Sequence, residues 1–321
     1  LSGRRDGSSN FGQNNRYANF WAVGAMWKVK KEAFLKEVKW LTDLNLRFST
    51  GISGNAGGLN YSNINVVSPS LLYDSKIGYT LSRIGNPDIR WEEQKKTSVG
   101  INAILLYNTS VNVEYYHRRT YDVLAYRDNN STSGRSQIYT NSGGMQNQGI
   151  DVSISSRVYY DEGNNLSVRP YFNMNYNQQK ITEIFEGRES LVSLNSNLGF
   201  KVGRPLEYTA VLRKGIDPNT GLTQWYIPGT DKMETQTDDN QITTTYNPNL
   251  AQTTGKKMHA PLNGGFGWTV TYRGFTLDMN FAFTVGNWKV NNDMRYSENP
   301  GTFASGNISR KAFDYWKTTG D

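Results

Sequence analysis

From Phe275 to Val285 every second residue is apolar: Phe275, Leu277, Met279, Phe281, Phe283 and Val285. Thr276, Asp278, Asn280, Ala282 and Thr284 lie between them. Such alternation predicts a strand with one apolar and one polar face. Phe266, Trp268, Val270 and Tyr272 alternate in the same way just upstream, and only Arg273-Gly274 separates the two runs, which predicts a tight hairpin. The pattern recurs at Leu44, Leu46 and Phe48, at Val111, Val113 and Tyr115, at Ile150, Val152, Ile154 and Val158, and at Leu166, Val168, Phe172 and Met174.

Ten strands are expected: Tyr17 to Val29, Leu44 to Ser53, Thr97 to Leu106, Ser110 to Arg119, Gly149 to Tyr160, Leu166 to Gln178, Pro205 to Arg213, Leu222 to Ile227, Gly264 to Arg273 and Phe275 to Gly286. Their links alternate in length. Tyr107-Asn108-Thr109, Asp161 to Asn165, Asp217 to Gly221 and Arg273-Gly274 are short. Gly54 to Lys96, Thr120 to Gln148, Gln179 to Arg204 and Pro228 to Asn263 are long. The first link, Lys30 to Asp43, carries Phe34, Val38 and Leu41 at helical spacing and predicts a short amphipathic helix.

A Greek-key sandwich has no reason to keep this parity. A transmembrane β-barrel has short turns at one end, long loops at the other, and strands alternating between lipid and lumen. Backbone groups in lipid must all be paired, so only a closed barrel can place such strands in a membrane. The expected fold is therefore all-β: an antiparallel transmembrane β-barrel segment with long extracellular loops, residues 1–321 forming part of a single barrel domain. Phe275, Leu277, Met279, Phe281, Phe283 and Val285 are expected to face lipid, and Asp278 and Asn280 the lumen. Trp268, Tyr272 and Phe275 flank the tight turn, as an interfacial aromatic girdle would. The alternative reading of each strand is an ordinary soluble sheet with one wet face.

Composition narrows the function classes. The 321 residues are 36% hydrophobic and 13% aromatic, with 31 Gly and 35 Asn, which suits strands and turns rather than helix or disorder. Apolar runs such as Trp21 to Trp27 fall far short of the roughly 20 residues of a spanning helix. There is no Cys, and the two His, His117 and His259, are far apart, which argues against a histidine metal site or a serine triad. The net charge of +7 is spread out, with no dense basic cluster to suggest nucleic acid. Leu1 is not an initiator Met and no signal peptide is read, which leaves a cytosolic protein or an internal piece of a longer one; the strand pattern favours the second.

Several strings resemble the SusC/RagA family of TonB-dependent outer-membrane transporters: RRDGSSNFGQNNRYANFWAVGAMWKVKKEAFL (Arg4 to Leu35), LNLRFSTGISGN (Leu44 to Asn55), GNPDIRWEEQKKTSVGI (Gly85 to Ile101), NVEYYHRRTYDVL (Asn112 to Leu124), NQGIDVSI (Asn147 to Ile154), GIDPNTGLTQW (Gly215 to Trp225) and NGGFGWTVTYRGFTLDMNFAFTVGN (Asn263 to Asn287). They follow the family's order over most of the chain. The resemblance implies a barrel of about 22 strands around a plug in the bacterial outer membrane. It also implies import of oligosaccharides or oligopeptides powered by TonB, and a SusD-like surface lipoprotein as partner. Plug, TonB box and closing strands are expected in segments outside this chain, with the strand edges and TonB contact supplied there. The rivals are a soluble carbohydrate-binding β protein and a glycoside hydrolase.

Candidate chemistry is sparse. Asp217 in GIDPNTG lacks the alternating acidic ligands and distant Glu of a calcium loop, and Asp217-Pro218-Asn219-Thr220-Gly221 reads as a turn. Asp231, Glu234, Asp238 and Asp239 lie in a Thr- and Gln-rich loop, read as solvated or as loosely calcium-binding. Glu92-Glu93 are adjacent on an extended chain and point to opposite faces, so they cannot flank a glycosidic bond. No catalytic residue, cofactor or metal ligand is expected. Among loop aromatics, Tyr73, Trp91, Trp225 and Tyr226 are the candidates for substrate contact by stacking on sugar rings. The competing role of each is to pack its own loop, which for Trp91 means the loop base.

Overall fold

The computed structural model describes every residue except 59, 74–75, 107, 300–306 and 321, and every side chain of those except at 13, 71–73 and 131. Two compact units result, each described by itself: residues 1–188 with 261–285, and residues 189–260 with 286–321.

The first unit is built on one antiparallel sheet of ten strands. Nine follow each other in a continuous order: β1 (Ser2–Gly7), β2 (Tyr17–Lys28), β3 (Leu41–Asn55), β4 (Glu92–Leu105), β5 (Thr109–Tyr121), β6 (Gly143–Ser156), β7 (Leu166–Ile184), β8 (Leu262–Tyr272) and β9 (Phe275–Val285). The short strand Tyr159–Asp161 pairs with β7 off this order. Every neighbour in the sheet is a neighbour among these strands in sequence, so the sheet is an up-and-down meander. Arg273 (φ 47°) and Gly274 (φ 89°) both take positive φ in the two-residue turn between β8 and β9. That is a primed turn, whose twist matches the strands it joins.

The register makes one face apolar from strand to strand. Leu46 pairs with Ile101, Ile101 with Val113, and Val113 with Val152. Val152 pairs with Met174, and one step further along Phe172 pairs with Phe266, which pairs with Phe281 at a ring separation of 5.0 Å. Many of these side chains are exposed, among them Phe48, Val99, Ile101, Phe266, Leu277 and Phe281. An apolar sheet face of this extent uncovered by protein marks an interaction surface. Its height fits a bilayer: the 11 residues of β9 run about 33 Å, which a tilt of about 40° projects to about 25 Å, the apolar band of a transmembrane barrel. The band does not run straight across the sheet. Trp21 of β2 pairs with Ile52, but the next partners in that row are Lys95 and Arg119. The apolar stretch thus slips toward the short-turn end as it passes from β2 to β9, where Tyr272 faces Phe275.

Several expectations are corrected. Leu41–Asn55, Glu92–Leu105, Thr109–Tyr121, Gly143–Ser156 and Leu166–Ile184 are longer at the long-loop end than their alternating stretches. There the ladder continues into polar sequence, because hydrogen bonding needs no apolar face. The segments Pro205 to Arg213 and Leu222 to Ile227 are not strands of the large sheet; their ordered parts, Glu207–Ala210 and Thr223–Tyr226, belong to small sheets of the second unit. β1, Ser-Gly-Arg-Arg-Asp-Gly, carries no alternation and joins by main-chain pairing to β2. The helix expected between β2 and β3 is one turn, Ala33–Lys36; Lys30 Nζ closes it by donating to the carbonyls of Leu35 (2.8 Å) and Val38 (2.7 Å), and Leu41 already belongs to β3. In the short link after β4, Tyr107 lies outside the described residues.

At the long-loop end, Val66–Tyr73 with Lys76–Arg83 and Leu124–Asp128 with Gln137–Asn141 form separate hairpins. Below them sits the only buried apolar cluster grouped among the described residues: Phe11, Phe20, Ile89 and Trp91. The second unit holds a four-stranded sheet (Ser190–Ser193, Leu198–Lys201, Glu207–Ala210, Gln252–Lys257) and a three-stranded one (Arg213–Ile216, Thr223–Tyr226, Ile242–Thr243).

Candidate functional site: the polar face of the large sheet

The residues between the apolar ones put polar side chains on the other face, and these bond across every strand step from β3 to β9. Ser49 and Ser98 hydroxyls meet at 2.8 Å. Asn102 donates to Asn112, which donates to Ser153 Oγ (3.3 Å). Asn175 donates to Asp151 Oδ1, and Asn263 donates to Asn175 Oδ1 (3.4 Å). Thr269 Oγ1 donates to Asp278 Oδ1 (2.6 Å). Glu114 receives two cations, Lys96 Nζ at 3.4 Å and Arg47 Nη2 at 3.7 Å. Arg47, Asn112, Glu114, Asp151, Asn175 and Asn263 border an open depression of about 350 Å³.

Three long side chains on this face reach past a neighbouring strand, each over a glycine. Arg47 of β3 reaches Glu114 of β5 above Gly100, its own pairing partner on β4. Tyr116 of β5 donates to Asn177 Oδ1 of β7 (3.0 Å) above Gly149. Tyr171 of β7 donates to Asn280 Oδ1 of β9 (2.7 Å) above Gly267. A Cβ at Gly149 would stand 2.6 Å from the Tyr116 hydroxyl, and one at Gly267 would stand 2.8 Å from the Tyr171 ring. Glycine in these strands therefore serves close approach, letting a long side chain lie flat along the wall. Tyr116 is 5% exposed as a result. The arrangement is a continuous hydrogen-bonded, hydrophilic face with both signs of charge.

Asp278 and Asn280 stand on this polar face, bonded to Thr269 and Tyr171. Phe275, Leu277, Met279, Phe281, Phe283 and Val285 occupy the apolar face opposite Tyr272, Val270, Trp268, Phe266, Gly264 and Leu262. Of the stacking candidates, Tyr73 and Trp91 belong to the first unit and Trp225 and Tyr226 to the second. Trp91 packs on Phe11 (5.2 Å) and Phe20 (5.5 Å) and is 9% exposed, so little ring surface is left for a ligand. Trp225 meets Tyr246 edge-on at 5.2 Å, and the Tyr226 hydroxyl donates to Asp239 Oδ1 at 3.4 Å. The backbone of Tyr73 pairs with Lys76, and its side chain lies outside the described residues.

The loop carboxylates have cationic partners. Lys201 Nζ lies 2.8 Å from Asp231 and 2.7 Å from Glu234, and Arg204 lies 2.7 Å from Glu234. Lys201 first, then the Met233 N–H, holds the Asp231 carboxyl below its ordinary range; Lys201 and then Arg204 do the same for Glu234. Asp239 pairs with Lys214 at 3.1 Å. Among the described residues no group of three His, Asp or Glu side chains converges to hold a metal. Asp217 accepts from Asn219 N (2.9 Å) inside the turn that joins Arg213–Ile216 to Thr223–Tyr226. Glu92 Oε2 accepts from Leu124 N (2.9 Å), a structural bond. The glycine-bridged contacts were missed from the sequence, because their only signal is a Gly in mid-strand whose neighbours depend on register.

Residues 1–320 match the family model described as TonB dependent receptor-like, beta-barrel. The chain belongs to this family. Within it, the likeness is to SusC/RagA members. TonB-dependent receptor P39 of Formosa agariphila is 32% identical over 206 residues, 62% of this chain and 20% of that protein. TonB-dependent receptor SusC of Bacteroides thetaiotaomicron is 30% identical over 198 residues, 58% of this chain and 19% of that protein. Among solved structures, that of the RagAB peptide transporter aligns with a TM-score of 0.83 at 33% identity, covering 99% of this chain and 35% of that one. The chain thus spans about a fifth of these curated relatives in the aligned regions and about a third of the solved transporter.

Proposed function

We propose that residues 1–321 are wall and outer loops of a TonB-dependent importer in the bacterial outer membrane, part of a single receptor barrel domain. The observation that carries this reading is the two-faced sheet: an apolar face about one bilayer high backed by a bonded polar face, in a chain of the TonB-dependent receptor family. The apolar face meets lipid and the polar face lines the lumen. The outer edges of β1 and β9 pair with further strands of the same barrel, and the plug and TonB contact come from other parts of the protein. The long links lie outside the cell and form the rim covered by a SusD-like lipoprotein.

The substrate is a polar oligomer, an oligosaccharide or an oligopeptide. Likeness to SusC and to the RagAB peptide transporter supports this class. Tyr73, Trp225 and Tyr226 are the loop aromatics proposed to contact it, and Trp91, packed on Phe11 and Phe20, is proposed to support the loop base. No chemical step is involved. The test is uptake: a strain lacking the full-length protein should lose growth on an oligomer while keeping growth on its monomer. Loss of tonB should give the same phenotype. Turnover of glycan by the purified protein, or solubility of the full-length protein without detergent, would favour the hydrolase or the soluble binding protein instead.

A further inference from the structure

On the apolar face, the composition changes abruptly at the long-loop end. Tyr115 pairs with Ile150 and Ile150 with Tyr176, and both tyrosines are 47% exposed. Four residues further along the same face of β4, β5, β6 and β7 stand Lys95, Arg119, Gln146 and Lys180, paired in that order. Lys95 and Arg119 are directly opposite each other and exposed. Like charges in that position repel, and none of the three cations has an acidic partner at ion-pair distance among the described residues. Glu93, one step along the face beside Tyr121, makes no such contact with them. Arg119 instead lies over the Tyr121 ring at 5.0 Å. An anion arriving from outside would relieve the repulsion between the two facing cations.

The register points to a binding site for the phosphate groups of an outer-leaflet glycolipid, formed by Lys95, Arg119 and Lys180 above the Tyr115–Tyr176 level. This rests on the orientation proposed above, which puts the long-loop end outside. Acyl chains then lie along Val99, Ile101 and Val113, the tyrosines sit at the interface, and the basic row meets the headgroup. From Lys95 to Lys180 the row crosses three strand spacings, about 14 Å, the width of a lipid headgroup rather than of a single ion.

The test uses the full-length protein purified in mild detergent, with bound lipid counted by native mass spectrometry. Phosphorylated glycolipid, phosphatidylglycerol and inorganic phosphate serve as added probes. Wild type should retain the glycolipid, and a Lys95→Gln, Arg119→Gln, Lys180→Gln variant should retain at least about tenfold less. A second variant, Arg119→Glu, supplies Lys95 with an acidic neighbour; it should lose the lipid while its unfolding temperature stays level or rises, which separates binding from folding. Unchanged retention in both variants overturns the site, as does preference for phosphatidylglycerol or saturation by phosphate alone. Labelling of a cysteine in the 122–142 loop on intact cells checks orientation separately. A labelled loop with no lipid loss sinks this inference alone, and an unlabelled loop sinks the orientation.

Discussion

Tyr171 donates its hydroxyl hydrogen to Asn280 Oδ1 at 2.7 Å although β8 runs between their strands, and Gly267 is the residue it passes over. Tyr116 and Asn177 repeat the relationship over Gly149. The lining of the polar face is held by such bridges as well as by the main-chain ladder.

Gly267→Ala should cost about 1–3 kcal/mol, as overpacking does, because both the Met279 carbonyl and the Tyr171 ring occupy the space. Tyr171→Phe keeps the ring and loses one hydrogen bond, about 1 kcal/mol. Urea unfolding of the full-length protein in lipid vesicles ranks the two. If the glycine variant proves the milder, close approach is not what the glycine provides.

Leu277→Arg or Phe281→Arg should destabilise the membrane-inserted protein by about 2–4 kcal/mol, while Asn280→Ser should cost far less. Single cysteines check the same assignment with a membrane-impermeant reagent. Modification at Met279→Cys together with protection at Asn280→Cys would reverse the two faces of β9.

Protease sites engineered into the links 56–91, 122–142 and 185–261 should be cut on intact cells, and a site between Arg273 and Gly274 only after the outer membrane is ruptured. The opposite pattern would invert the barrel.

Acid should loosen the second unit locally. The carboxyls of Asp231 and Glu234 titrate lower in the folded chain than unfolded, held by Lys201, Met233 N–H and Arg204. Their contribution is complete above the unfolded values, about 4, and fades as pH falls through the folded ones. Hydrogen-exchange protection at 198–201 and 231–234, taken relative to the intrinsic rate at each pH, should fall below about pH 4, and Lys201→Met should flatten that response. Protection that is flat with pH in wild type would show that the cluster does not hold these segments together.

The sequence betrays the apolar band and little else of the sheet. Alternation marks where one face of the sheet is apolar, so β8 and β9 are legible almost to the residue. The extensions of β4, β5 and β7 into Gln94, Tyr121 and Lys180 are paired just as regularly but carry no period-two signal. Pro205 to Arg213 and Leu222 to Ile227 mimic a pair of barrel strands because the short turn Asp217 to Gly221 between them keeps the alternation of long and short links intact, although their ordered parts belong to two different sheets. Trp91 reads in the sequence either as a ring for stacking on sugar or as packing for the loop base; its burial against Phe11 and Phe20 depends on residues distant in sequence.

If the polar face lines a lumen as proposed above, the slip of the apolar band means that the strands lean against the membrane plane. A vertical line on that wall then leaves one strand for the next as it descends, so a solute following it would meet side chains from successive strands. Arg47, Glu114 and Asn175 stand in one pairing row on three different strands, and that row leans with the strands. Replacing every lining residue of one strand would alter a slanting stripe, touching each level of the descent once. Changing the selectivity of one level takes single substitutions on several neighbouring strands.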